Sequence, residues 1–249
     1  MVVNENSSCV AVGNFDGIHI GHDTLIRTML KLSKEKNLRS IVITFKYIKK
    51  ELRKSNYNLK YINNSDRRLE LLKSYGVDKI SEIELDEVIS KYSPEQFIKE
   101  ILIDIFNSKY IVVGYNFTFG HKAIGNVNTL KEFEKKYGYV VEEIPPVKYK
   151  GIAVSSTLVR NLVREGKIKD ANCLLIQDYR IYFEDIIIDY NKNIAFVNNK
   201  NATIIPADGR YKVKIGEKQM SISIITDKDN TILTFDKKIE KNKDIIFLG

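Results

Sequence analysis

Two histidines set three residues apart among glycines carry the strongest chemical signal in this chain: Gly13-x-Phe15-Asp16-Gly17-x-His19-x-Gly21-His22. Ser8 to Val12, just before them, is a short apolar run that reads as a buried strand. Helical spacing follows, with Leu25, Met29 and Leu32 on one face and Ile26 and Leu30 beside it. His19 and His22 therefore open a helix, and at i and i+3 they share a face and can address one ligand. A helix start offers unpaired N–H groups and the positive end of a dipole, which suits phosphate. Glycines let the backbone take shapes and approach a ligand in ways that a Cβ would obstruct. Strand, glycine loop, paired histidines and helix together point to a triphosphate site, and one without the lysine of a P-loop.

Two further segments fit the same chemistry. In Val112-Val-Gly-Tyr-Asn-Phe-Thr-Phe-Gly120 a strand ends at Gly114 and leads into a turn with Asn116, Phe117 and Phe119. An amide can donate and accept toward a flat heterocycle while aromatic rings wall it. In Val154-Ser-Ser-Thr-Leu-Val-Arg160, Ser155 or Ser156 can cap a helix, with Arg160 about one turn in. A guanidinium fork matches two phosphate oxygens.

These loops need a scaffold to position them. Ser40 to Phe45, Lys79 to Leu85, Tyr110 to Val113 and Tyr139 to Ile144 read as further strands. Helical patterns over Asp66–Tyr75 and Thr129–Tyr137 alternate with them, and so does a helix capped at Ser93-Pro94-Glu95-Gln96 that continues through Phe97, Ile101 and Ile105. Such alternation predicts a parallel sheet with helices on both faces, and ligands bind beyond the carboxyl ends of its strands. From Arg180 onward short β-branched runs separated by turns predict a small all-β unit, over Ile186–Ile188, Ile194–Val197, Thr203–Ile205, Tyr211–Ile215, Ser221–Ile225, Ile232–Phe235 and Ile245–Leu248. The predicted division is 1–178 and 179–249.

The first motif resembles the signature of the nucleotidyltransferase superfamily that contains the bacterial FAD synthetases. Val112–Gly120 resembles their Val-Val-Gly-x-(Asp/Asn)-Phe-x-Phe-Gly segment, and Ser155–Arg160 their Ser-Ser-Thr-x-(Ile/Val)-Arg motif. The downstream Leu162, Val163, Gly166, Ala171, Leu174 and Leu175 continue that likeness, which covers roughly residues 8 to 178. The resemblance implies a Rossmann-like α/β nucleotidyltransferase domain that makes FAD and pyrophosphate from FMN and ATP, with Mg²⁺ accompanying ATP. It implies that His19, His22 and Arg160 are catalytic. It places Gly13, Asn14, Phe15, Asp16, Gly17, Gly21, Ser155, Ser156 and Thr157 around ATP, and Asn116, Phe117 and Phe119 around flavin or nucleotide. It names no metal ligand. Asp66–Asp78 and Ser93–Leu102 parallel family helices that carry no chemistry of their own.

Two departures stand out. After Thr44-Phe45 the family usually has an acidic residue and a Pro-x-Pro turn, where this chain has Lys46-Tyr-Ile-Lys-Lys. Many members also carry a riboflavin kinase barrel with a Gly-Phe-Pro-Thr-Ala-Asn motif, and no Pro-Thr dipeptide occurs here. Kinase activity is therefore not expected. The β unit is expected to be a degenerate kinase-like barrel kept for packing or for a homo-oligomer contact.

Composition narrows the remaining classes. Hydrophobic residues at 43% build a real core across 249 residues, and no apolar run approaches the roughly 20 residues of a membrane helix. No basic segment followed by an apolar one opens the chain, so cytoplasm is the expected location. The net charge of +8 is spread along the chain rather than gathered, which favours small phosphorylated ligands over nucleic acid or a membrane. Cys9 and Cys173 are too few and too separate for a disulfide framework or a zinc site. Two rivals stay open: nucleotidyl transfer to another phosphate acceptor, and a catalytically weak flavin- or nucleotide-binding regulator.

Overall fold

The structure, a computed structural model, describes residues 7–46, 60–197, 203–227 and 230–249. The Lys46–Lys50 departure and the basic run after it lie mostly outside the described residues. The chain divides into two compact units, 1–48 with 65–153 and 49–64 with 154–249.

The first unit contains β1 (Ser8–Val12), α1 (Ile20–Lys36), β2 (Arg39–Phe45), α2 (Ser65–Lys73), β3 (Lys79–Ile83), α3 (Pro94–Gln96), β4 (Ser108–Gly114), the short pair β5 (Thr118–Phe119) and β6 (Gly125–Asn126), α4 (Val127–Glu132), α5 (Glu134–Tyr137), β7 (Val140–Ile144) and the short pair β8 (Lys148–Tyr149) and β9 (Ile152–Ala153). Its sheet is five-stranded and parallel, in the order β3-β2-β1-β4-β7. Alternation along the strands sends Val10, Val12, Ile41, Ile43, Ile111 and Val113 to one face, where Phe97, Ile98, Ile101, Leu102 and Leu130 cover them. Cys9, Ala11, Val42 and Val112 point the other way and are fully buried. On that side α1 contacts β1, β2 and β4 and buries Leu25, Ile26 and Met29. Helices thus lie on both faces, as the alternation predicts.

Some local expectations change. After α3, whose capping box closes through Ser93 and Gln96, the chain runs on as a π-helix over Phe97–Ile105. Its i→i+5 bonding widens each turn. Phe106 therefore follows Ile101 into the core, while Ile105, expected on the buried face, is 64% exposed. The expected helix over Thr129–Tyr137 starts earlier and breaks. Asn126 is the cap, its side chain accepting from the Thr129 N–H at 3.2 Å, and Phe133 (φ −92°, ψ −1°) separates α4 from α5. The expected strand over Thr203–Ile205 is only an isolated bridge between Tyr61 and Thr203. There the Ile204 N–H donates to the Tyr61 carbonyl at 3.0 Å and Thr203 Oγ1 donates to Asp185 at 2.7 Å, so the segment is held outside the sheet.

The second unit contains α6 (Ser156–Arg164), α7 (Ile168–Leu174), β10 (Arg180–Ile181), β11 (Ile186–Asp189), β12 (Ile194–Val197), β13 (Gly209–Ile215), β14 (Lys218–Asp227), β15 (Asn230–Phe235) and β16 (Ile245–Phe247). The strands form an antiparallel sheet in the order β10-β16-β13-β14-β15-β12-β11. Val213, Ile215, Met220, Ile222, Ile224, Leu233 and Phe247 fill its buried face. Helix α7 is tied to the sheet by Asn172, which donates to the Phe247 carbonyl at 2.9 Å and accepts from the Tyr179 N–H at 2.9 Å. After α6, Gly166 at φ +71° lies so close to Tyr211 that a Cβ there would fall 2.6 Å from its hydroxyl oxygen.

Cys9 is fully buried, and burial first, with Glu142 second, pushes its thiol up to about 12, whereas Cys173 is exposed. Since the thiolate is the reactive form, the folded protein should release one equivalent to a disulfide reagent at pH 8 and the second only in denaturant. Two prompt equivalents would show that Cys9 is open.

Candidate active site

Strand order places the site. From β1 the chain steps to β2 on one side and later returns to β4 on the other, so the order reverses between β1 and β4. Ligands of open α/β sheets bind in the crevice at such a switch point, beyond the carboxyl ends of the strands. The histidine loop leaves the end of β1, and the Asn116 turn leaves the end of β4.

The loop after β1 is tightly wound. The Gly13 N–H donates to the Ile43 carbonyl at 3.1 Å. Phe15 (φ 52°), Gly17 (φ 81°) and Ile18 (φ 34°) then take left-handed conformations. For a β-branched residue such as Ile18 that is an outlier, which persists only where its surroundings over-determine it. Both Phe15 and Ile18 are fully buried, which supplies that constraint. Asn14 is exposed and Asp16 is 2% exposed.

His19 is the N-cap of α1, in the place usually held by Ser, Thr, Asp or Asn. Its Nδ1 accepts from the His22 N–H at 3.3 Å. An accepting Nδ1 puts the ring proton on Nε2, the far edge of the ring. The two imidazoles stack with centroids 3.7 Å apart and planes 14° from parallel, and Phe15 meets the His22 ring at 5.2 Å. Gly21 permits this, since a Cβ there would stand 3.2 Å from the His19 ring. His22 Nδ1 is buried with no hydrogen-bond partner among the described residues. Burial first, and His19 second, hold His22 well below the usual imidazole range. Its ring is neutral rather than a cation at neutral pH.

That depression has a measurable sign. An unfolded chain protonates His22 below about pH 6.5, whereas the folded chain keeps it neutral. Its contribution to stability is present above that pH and is lost as pH falls, by up to ~1.4 kcal/mol per pH unit. Melting temperatures measured from pH 7.5 to 5 should fall more steeply for the wild type than for His22→Asn. Parallel curves would contradict a ring that the fold keeps neutral.

At the end of β4, the Phe117 N–H donates to the Gly114 carbonyl at 2.9 Å and closes the turn. Asn116 is exposed and Phe117 half-buried. Phe119 lies inside the core, stacked on Phe117 and tilted against Phe97, both at 5.5 Å. In the second unit Ser155 is the N-cap of α6, accepting from the Leu158 N–H at 3.2 Å. Arg160, one turn on, reaches back to Thr157 Oγ1 at 3.4 Å, and Ser156 opens the first turn. The structure thus gathers Gly13, Asn14, Phe15, Asp16, Gly17, His19, Gly21 and His22 in one loop and sets Asn116 and Phe117 at the next strand's end. Ser155, Ser156, Thr157 and Arg160 belong to the other unit.

One residue escaped the motif reading. Arg68, on α2, is fully buried and bonded to the Asn14 carbonyl at 2.9 Å. The signal was its position four residues before the buried Leu72, on the same helix face. Among the described residues no group of three or more His, Cys, Asp or Glu side chains could hold a metal ion.

The fold and its histidine loop belong with the nucleotidyltransferases, the enzyme class that the family match shows. The family model for FAD synthetase matches residues 2–158, and the chain belongs to that family of enzymes. It is 36% identical over 180 residues to a bifunctional riboflavin kinase/FMN adenylyltransferase of Buchnera aphidicola subsp. Schizaphis graminum, covering 72% of this chain and 57% of the relative. Against the protein of the same name from Buchnera aphidicola subsp. Acyrthosiphon pisum it is 34% identical over 220 residues, covering 86% and 69%. A FAD synthetase of Listeria monocytogenes is 26% identical over 218 residues, covering 86% and 83%. A crystal structure described as a macrolide-efflux protein from Streptococcus pneumoniae superposes with a TM-score of 0.76 at 24% identity, over 99% of this chain and 87% of that one; this likeness is one of fold. Among the described residues no helix is long and apolar enough to cross a membrane.

Proposed function

We propose that this chain is an FMN adenylyltransferase: FMN and ATP give FAD and pyrophosphate. A phosphate oxygen of FMN attacks the α-phosphorus of ATP. The bond from that phosphorus to the bridging oxygen breaks, and pyrophosphate leaves with the electron pair. The FMN phosphate is already a nucleophile, so the protein's contribution is orientation and stabilisation of charge.

The observation that carries this reading is the stacked pair of His19 and His22 at the start of α1. Their Nε2 edges donate to ATP phosphate oxygens. Gly13, Asn14, Phe15, Asp16, Gly17 and Gly21 shape the phosphate cradle. Asn116 and Phe117 meet the flavin or adenine ring, with Phe119 backing them from the core. Arg160, with Ser155, Ser156 and Thr157, is assigned to the leaving phosphates on its motif alone. Mg²⁺ accompanying ATP would supply charge neutralisation for the departing pyrophosphate. The β unit has no Pro-Thr-bearing site and serves packing or self-association, so riboflavin is not phosphorylated. Water-soluble substrates fit a cytoplasmic enzyme with no nucleic-acid or membrane partner.

Purified protein with Mg²⁺-ATP is offered FMN, riboflavin, nicotinamide mononucleotide or phosphopantetheine, with products separated by chromatography. FAD from FMN is expected, with no FMN from riboflavin. Faster turnover of a non-flavin acceptor would move the assignment to a different nucleotidyl transfer. FMN formed from riboflavin would reveal a kinase site in the β unit.

A further inference from the structure

We propose that Arg68 is a positioning residue for the phosphate loop: it fixes the Asn14 carbonyl, and through it the path of the chain into His19. The inference rests on the reading of the histidine pair as the ATP site. Arg68 is 0% exposed, and its fork ties the Asn14 loop to the carboxyl ends of β2 and β3. One terminal nitrogen donates to the Asn14 carbonyl at 2.9 Å and to Thr44 Oγ1 at 3.2 Å. The other donates to the Phe45 carbonyl at 3.0 Å and to Glu82. Thr44 Oγ1 itself donates to the Asn14 carbonyl at 3.3 Å, which closes a triangle on that one oxygen. Glu82 is oriented in turn by Ser65 Oγ at 3.1 Å.

Two arguments separate positioning from mere cohesion. A buried ion pair is weak evidence for stability, because desolvation offsets much of the Coulomb gain. A buried guanidinium needs acceptors for its remaining N–H groups in any case, so where those acceptors lie, and not their number, carries the argument. The arms end on the loop and on the close of β2, and the loop is the strained segment with Phe15 and Ile18 at positive φ. Holding strained backbone requires bonds from a rigid neighbour, and a planar fork with diverging donors does that where an ammonium offers one point. With its charge matched by Glu82, Arg68 acts on the loop through geometry rather than as a phosphate ligand.

The test compares wild type, Arg68→Lys and Arg68→Met. Each is checked for folding by circular dichroism and melting, and for FMN binding by flavin fluorescence; kcat and the KM for ATP are then measured. A displacement of the loop near 1 Å is worth about 100-fold in rate. Folded Arg68→Lys with normal FMN binding is expected to lose about that much in kcat/KM for ATP. Wild-type kinetics in either folded variant would overturn the proposal. Should both variants fail to fold, Thr44→Val decides: it leaves the Arg68–Glu82 pair but opens the triangle, and kcat/KM for ATP should drop about tenfold or more, with unchanged kinetics overturning the proposal. If the wild type makes no FAD, the functional reading fails on its own. Arg68 is then judged by the rise in melting temperature that Mg²⁺-ATP gives the wild type and each variant: a rise lost in the variant supports positioning, and an equal rise overturns it.

Discussion

His22→Ala should lower adenylyl transfer to FMN by about 100-fold, the typical worth of one preorganised donor aimed at developing charge. The fold should survive, because His22 Nδ1 makes no hydrogen bond among the described residues and the ring is only half-buried. His19→Ala is a less clean partner experiment. It removes both the phosphate donor and the cap that accepts from the His22 N–H at 3.3 Å, and losing a cap costs about 1 kcal/mol of stability. His19→Asn keeps a cap acceptor and isolates the chemistry. Steady-state rates with melting curves on all three variants check this, and near-normal turnover in folded His22→Ala would remove the pair from the mechanism.

Arg160→Lys should cost roughly 10- to 100-fold in kcat/KM for ATP while FMN affinity stays close to normal. A guanidinium grips two phosphate oxygens at once, and a charge-assisted hydrogen bond is worth about 1.5–3 kcal/mol. Lysine keeps the charge but presents a single point. Were Arg160 an ordinary helix-surface residue, the change would be within about 0.5 kcal/mol and the ATP titrations would overlap. Titrating ATP at fixed FMN, then FMN at fixed ATP, separates these outcomes and places or displaces Arg160.

Much of this was legible in residue order. The apolar run Ser8–Val12, the glycines after it and the i, i+3 histidines indicated a strand, a glycine loop and a helix start, and the structure contains all three. The cap at Ser93 and the helix start at Ser155 followed from local hydrogen-bond chemistry, which needs no tertiary information. What stayed hidden depends on packing between distant segments. Arg67 and Arg68 in a polar stretch look alike in one dimension: Arg67 meets Glu70 one turn on along the same helix, and only tertiary contact takes Arg68 into the core. Period-3.6 reasoning put Ile105 inside, because it has no means of anticipating π winding. Nor could spacing show that His19 would cap its own helix and so set which ring nitrogen carries the proton.

The central claim is attack on the α-phosphorus of ATP by FMN, and positional labelling tests it most directly. Protein, Mg²⁺ and FMN are incubated in parallel with ATP labelled at the α- or the γ-phosphate, and flavins and phosphates are separated by chromatography. The expected result is α-label in FAD, γ-label in pyrophosphate, and equal amounts of the two products. Label from the γ-phosphate in any flavin, or α-label released as AMP with no labelled FAD, would contradict it.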